Sequence, residues 1–136
     1  MKKFVILLAF CFLLAGLRLY DNGLLSLGLP GEFGVCHKGG AVTKYPEAER
    51  PTLDRFFGYT RLDTLGGEAE LARGLKDLCA RELWREQIDA LTVVYAYSPY
   101  IQKFKTVLGR RVNVMAAYSS ASDRLSFGCP LLVGSY

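Results

Sequence analysis

The chain reads as an α+β domain: an antiparallel meander of about four to six strands with one amphipathic helix packed across it, preceded by an N-terminal hydrophobic leader helix. Three observations predict this. Phe4 to Leu17 carries no charge and no polar side chain other than Cys11, directly behind Lys2 and Lys3. Glu68 to Gln87 repeats its apolar residues at three- and four-residue steps. From Leu91 onward the repeat switches to two. The 136 residues leave room for one core. With 51% hydrophobic and 22% charged residues the composition is that of a globular domain.

The leader comes first. A short positive head followed by an unbroken apolar run is the pattern of a secretory signal. As a helix, Phe4–Leu17 reaches about 21 Å, short of the roughly 30 Å hydrocarbon core of a bilayer. Arg18 could snorkel and let Leu19 and Tyr20 extend the span. Residues 1–20 are therefore expected to be a signal peptide or a signal anchor, with everything beyond them extracytoplasmic. The competing reading is a buried core helix of the same length. Residues 21–34 hold several glycines and Pro30 and read as a linker. Residues 35–136 then form a single α+β domain.

Gly39-Gly40 marks a turn between Phe33–His37 and Ala41–Tyr45, which suggests a weak hairpin. The prolines at 46 and 51 bracket a loop. Arg55–Leu62 is aromatic-rich and reads as a strand. In Glu68–Gln87 the stripe is Leu71, Ala72, Leu75, Leu78, Cys79, Leu83 and Trp84. Arg73/Asp77 and Asp77/Arg81 are spaced as i,i+4 ion pairs on its wet face. Glu68 and Glu70 suit its first turn. Gly74 weakens such a helix by about 1 kcal/mol relative to alanine. Strands follow at Leu91–Tyr97, Lys103–Val107, Val112–Tyr118 and Leu125–Phe127, with a tight turn at Leu108-Gly109-Arg110.

The charge distribution narrows the function. The net charge is +4. Asp21–Tyr100 carries 9 basic and 12 acidic residues, and Ile101–Tyr136 carries 5 and 1. This is not the clustered footprint of a nucleic-acid binder. The one local excess is Lys103, Lys105, Arg110 and Arg111, with Asn113 at an outward strand position just beyond. Such a hairpin suits an acidic protein, lipid headgroups or a wall polymer. A solvated edge strand using lysines against aggregation is the plainer reading. Asn113 in turn serves either a ligand or the backbone of a neighbouring loop.

Catalytic patterns are weak. Cys36, Cys79 and Cys129 have no C-x-x-C spacing and the sequence has one histidine, so no metal site and no cofactor are expected. These cysteines read as buried small hydrophobes, with a disulfide or a reactive thiol as the alternative. Cys36-His37 places a nucleophile beside a base, but neighbours in an extended chain point to opposite faces. No G-x-S-x-G and no phosphate-loop motif occurs.

LTVVYAYSPYI (91–101), RRVNVMAA (110–117) and FGCPLLVGSY (127–136) resemble the carboxyl-terminal part of the YwmB-like proteins of endospore-forming Firmicutes, with Asn113 and Pro130 at matching places. The resemblance covers about a third of the chain. It implies a leader or anchor, a TATA-box-binding-like sheet-and-helix fold, a sporulation-associated setting and no known reaction; it does not imply DNA binding. The expected function is a non-catalytic, exported or membrane-tethered domain that binds a protein or cell-envelope component, touching the membrane through its N-terminal helix. The alternatives are a cysteine-dependent enzyme using Cys36 and, by fold analogy, a nucleic-acid-binding module.

Overall fold

The computed structural model describes residues 1–18, 23–36, 42–45 and 58–132. Its elements are helix α1 (Lys2–Arg18), a 3-10 turn (Gly23–Ser26), strands β1 (Glu32–Cys36), β2 (Val42–Tyr45) and β3 (Tyr59–Leu65), helix α2 (Glu68–Asp77), and strands β4 (Arg81–Ile88), β5 (Leu91–Tyr97), β6 (Lys105–Val107), β7 (Arg110–Val112), β8 (Val114–Ser119) and β9 (Arg124–Cys129). Seven strands form one antiparallel sheet in the order β2-β1-β3-β9-β8-β5-β4, and β6-β7 form a separate two-stranded sheet. The class is α+β. The main sheet has more strands than the expected four to six, and it is not a simple meander. β3 and β4 run in the same direction with three strands between them, and α2 makes the crossover from one to the other.

One face of the sheet carries the main core. Phe33 pairs with Leu62, Leu62 with Phe127 and Phe127 with Ala116, so these side chains share a face. Leu71, Leu75 and Leu78 join them in one buried cluster. Gly74 permits the close approach of α2: a Cβ there would lie 2.3 Å from Phe127 Cζ. Val93, Met115 and Ala117 lie on the opposite face, where Leu132 covers them.

Two expectations about boundaries are corrected. First, the helix does not run to Gln87. It ends at Asp77, and Arg81–Ile88 is the edge strand β4. Cys79 takes a left-handed conformation at φ 51°. The Cys79 N–H donates to Lys76 O at 3.0 Å and the Ala80 N–H to Leu75 O at 2.8 Å. This is a Schellman closure, normally built on glycine at the left-handed position. It leaves Cys79 exposed rather than on a buried stripe. Arg81 consequently leaves the helix, and Asp77 Oδ2 instead accepts the Gly28 N–H at 3.0 Å. Second, the stretch 21–34 is not a bare linker. Leu24, Leu27 and Leu29 are buried in the main core, and β1 starts at Glu32. Glycine content signalled turns, while these three leucines supply the apolar surface that docks the segment.

The hairpin across Gly39-Gly40 is formed by β1 and β2, with Cys36 opposite Val42. The turn itself, His37, the loop at Pro46 and Pro51, and residues 55–57 lie outside the described residues. The expected strand there is β3, shifted to Tyr59–Leu65. The expected third strand divides into β7 and β8, with Asn113 between them.

Helix α1 stands outside the core. Phe4, Val5, Ile6, Leu7, Leu8, Phe10, Phe12, Leu13 and Leu14 are all exposed, Phe12 at 71%. The buried-core reading of this segment is therefore overturned. No helix among the described residues is long and apolar enough to cross a membrane.

Candidate functional site

The β6–β7 hairpin leaves the main sheet between β5 and β8 and folds back beside the β4–β5 edge. Its two-residue turn has Leu108 at φ 50° and Gly109 at φ 77°, the positive dihedrals of a type I′ connection. Lys105 pairs with Val112, Thr106 with Arg111 and Val107 with Arg110.

The base of the hairpin is fixed by Asn113. This side chain is fully buried. Its Oδ1 accepts the Ser98 N–H at 2.7 Å, and its Nδ2 donates to Ser98 O at 2.6 Å and Ile101 O at 2.9 Å. Ser98 Oγ donates to Leu78 O at 2.6 Å, satisfying a carbonyl at the end of α2. Asn113 is thus corrected from an outward position to an internal staple, where it satisfies the backbone of the neighbouring loop.

The edge strand supplies the second wall. Pairing between β4 and β5 shifts between Glu82 and Trp84, so Leu83 is an extra, bulged residue. The bulge decides which charge faces the hairpin. Trp84 pairs with Tyr95 and Arg81 with Tyr97, so both share the face opposite α2. In unbroken alternation Glu82 would share the Trp84 face. Glu82 is instead turned toward α2, where Arg85 donates to Glu82 and, at 3.1 Å, to both carboxylate oxygens of Glu68. Tyr118 Oη also donates to Glu68, at 2.8 Å. Hydrogen bonds from Arg85 and Tyr118 hold the Glu68 carboxyl below its ordinary range.

Between these walls lies a cleft of about 420 Å³ lined by Arg81, Leu83, Tyr97, Arg110 and Arg111. Three arginines line it and no carboxylate does; Arg110 and Arg111, neighbours on β7, alternate between the two faces of the hairpin, so Arg110 lies on the Trp84 side with Arg81 and Arg111 on the Phe104 side. Among the described residues none of the three forms an ion pair. Aromatic faces support two of them. Arg110 Cζ lies 5.9 Å from the centre of the Trp84 ring and Arg111 Cζ 4.7 Å from that of Phe104. Trp84 itself stacks on Tyr95 at 4.6 Å and 16°. A guanidinium resting on a ring keeps its N–H fork open to a ligand, whereas one held by a carboxylate does not.

The structure thus brings together Arg110 and Arg111 and adds Arg81, which the helical reading of 68–87 concealed. Lys103 is half-buried and Lys105 is exposed with Nζ 5.9 Å from the Tyr59 ring; neither lines the cleft. A larger depression of about 500 Å³ includes Glu32, Asp63 and Arg124, two acids against one base, and so does not favour an anion.

The cysteines are apart. Cys36 and Cys129 are buried and Cys79 is exposed, and no disulfide joins any two of them. Cys36 pairs with Tyr59 and Cys129 with Thr60, so they flank β3 on opposite faces of the sheet. Burial pushes the Cys36 thiol up, against the nearby charge of Arg61, which is the wrong direction for a nucleophile. Beside it, Arg61 donates to Asp63 at 2.6 and 3.0 Å, and Ser126 Oγ donates to Asp63 Oδ1 at 2.6 Å. No group of three potential ligand side chains for a metal occurs among the described residues. The chain matches no family model, no curated protein and no solved structure.

Proposed function

We propose that this protein is a non-catalytic, exported or membrane-tethered α+β module that binds an acidic protein or cell-envelope component at the basic hairpin. The observation that carries this reading is the cleft in which Arg81 joins Arg110 and Arg111 with no carboxylate among its lining residues. Concentrated like charge is unfavourable in the free protein, and an anionic partner relieves it.

The address rests on α1. Its apolar side chains are exposed, behind Lys2 and Lys3. Its apolar stretch Phe4–Leu17 reaches about 21 Å, short of the roughly 30 Å hydrocarbon core, which suits a signal peptide or a short anchor. Lipid or an export channel covers such a surface; water does not. The YwmB-like assignment, with its sporulation-associated setting, belongs to this proposal and rests on the motifs in residues 91–136.

Two experiments test the reading. Residues 1–30 fused to a reporter active only outside the cytoplasm should yield signal, and a silent fusion refutes export. Arg110→Glu combined with Arg111→Glu should abolish capture of acidic envelope material by the full chain; unchanged capture removes the hairpin from the function. The cysteine-enzyme alternative is opposed by the burial of Cys36.

A further inference from the structure

We infer that the Arg81/Arg110/Arg111 cleft is a phosphate-binding site. The inference rests on the proposed acidic-partner reading and names the chemistry that reading leaves open.

A single carboxylate takes one guanidinium in a bidentate pair. Arg81 and Arg110, both on the Trp84 side of the cleft with Arg111 also in its lining, offer more positive charge than one carboxylate can neutralise. A phosphate group has three or four acceptor oxygens and up to two negative charges, so it engages several forks together. The cleft volume of about 420 Å³ suits a small group and not a folded surface. Leu83 and Tyr97 give it an apolar wall against which the organic part of a phosphate ester can rest. The bulge at Leu83 is the local device that presents Arg81 here and sends Glu82 to the other face.

Two sources carry this group: a soluble phosphate ester and the headgroup of an anionic phospholipid. Leu108 at the hairpin tip is 82% exposed and Phe104 is 44% exposed, which suits a lipid source. Leucine at a left-handed turn position serves neither the turn nor the core.

Trp84 is the single tryptophan and lies under Arg110, so its emission reports on the cleft. The full chain in neutral detergent is titrated with inorganic phosphate at constant ionic strength, with acetate as the comparison anion. Phosphate should give a saturable change that acetate does not. Arg81→Gln and Arg110→Lys should each weaken it about tenfold, while Arg73→Gln, an equal loss of charge on α2, should not. Equal responses to phosphate and acetate, or Arg81→Gln and Arg110→Lys both indistinguishable from wild type, overturn the phosphate assignment. If phosphate fails and a hexaglutamate peptide still binds in an Arg81-dependent way, only this inference falls; if both fail, the acidic-partner reading falls with it. A second arm places the chain in phosphatidylcholine bilayers with and without phosphatidic acid, whose headgroup is a terminal phosphate monoester. A Trp84 shift confined to phosphatidic acid, and lost in Arg81→Gln and Leu108→Asn, supports the site with lipid as its source. Phosphate binding in detergent without that shift supports it with a soluble ester.

Discussion

Replacing Asn113 by alanine takes three hydrogen bonds out of a fully buried loop. The side chain accepts from Ser98 N–H and donates to the carbonyls of Ser98 and Ile101. Each such bond contributes about 1 kcal/mol net, and a buried donor left unmade adds about 1–3 kcal/mol. The Ser98 carbonyl keeps the Ile101 N–H at 3.3 Å, which limits its loss. Ser98 N–H and Ile101 O lose the partner that Asn113 provides. The expected destabilisation is about 3–4 kcal/mol, a large part of the roughly 5–15 kcal/mol that holds an ordinary domain together. It should lower the melting temperature by about 12–16 °C. Urea unfolding of the detergent-solubilised full chain, followed by Trp84 emission, measures it. A loss below about 0.5 kcal/mol would refute the staple, because a fully buried amide with three partners does not leave so cheaply.

The Arg61–Asp63–Ser126 group makes a second prediction. Burial pushes the Asp63 carboxyl up, but hydrogen bonds from Arg61 and Ser126, with the charges of Arg61 and Lys44, outweigh that and hold it below its ordinary value. A depressed carboxylate stabilises the fold above the unfolded-state range and stops doing so as pH falls through its folded value. Wild type should therefore lose more stability than Asp63→Asn between about pH 5 and about pH 2 in acid titration, and Asp63→Asn should cost about 3 kcal/mol at neutral pH. Parallel acid curves would deny the ion pair its role. Iodoacetamide at neutral pH should label Cys79 well before Cys36, since one thiol is exposed and the other buried, as peptide mapping would show; the reverse order would revive a Cys36 enzyme. Gly74→Ala gains about 1 kcal/mol of helix propensity but forces α2 off Phe127, an overpacking cost of about 1–3 kcal/mol. A net loss is expected in thermal melts, and a stabilised variant would show that α2 can shift freely.

Much of the sheet is legible because period-two alternation is a direct image of a half-buried strand. Leu91–Tyr97 needs no further context. The helix was overextended because Leu75, Leu78, Leu83 and Trp84 also fit a 3.6-residue repeat. What divides them is a left-handed Cys79, a position where glycine is the usual signal. The same error concealed Arg81, and the bulge at Leu83 has no sequence signature that separates it from ordinary alternation. The hairpin arginines were legible as an excess of charge. Their convergence with Arg81 depends on a fold-back that no local pattern encodes. Leu24, Leu27 and Leu29 were masked by the glycines and proline around them, although their own spacing was the available sign of burial.

The strand order also sets when folding can finish. β9 is the last strand of the sheet along the chain, yet it occupies the middle of the seven, joined to β3 on one side and β8 on the other. It brings Phe127, fully buried against the α2 surface. Until that late keystone arrives, the first three strands and the later ones have no common seam, and closing it joins residues far apart in sequence. Under the export proposed above, a polypeptide threaded head-first through a narrow translocation pore would stay loose until its final strand had passed, so this topology would defer compaction to the far side.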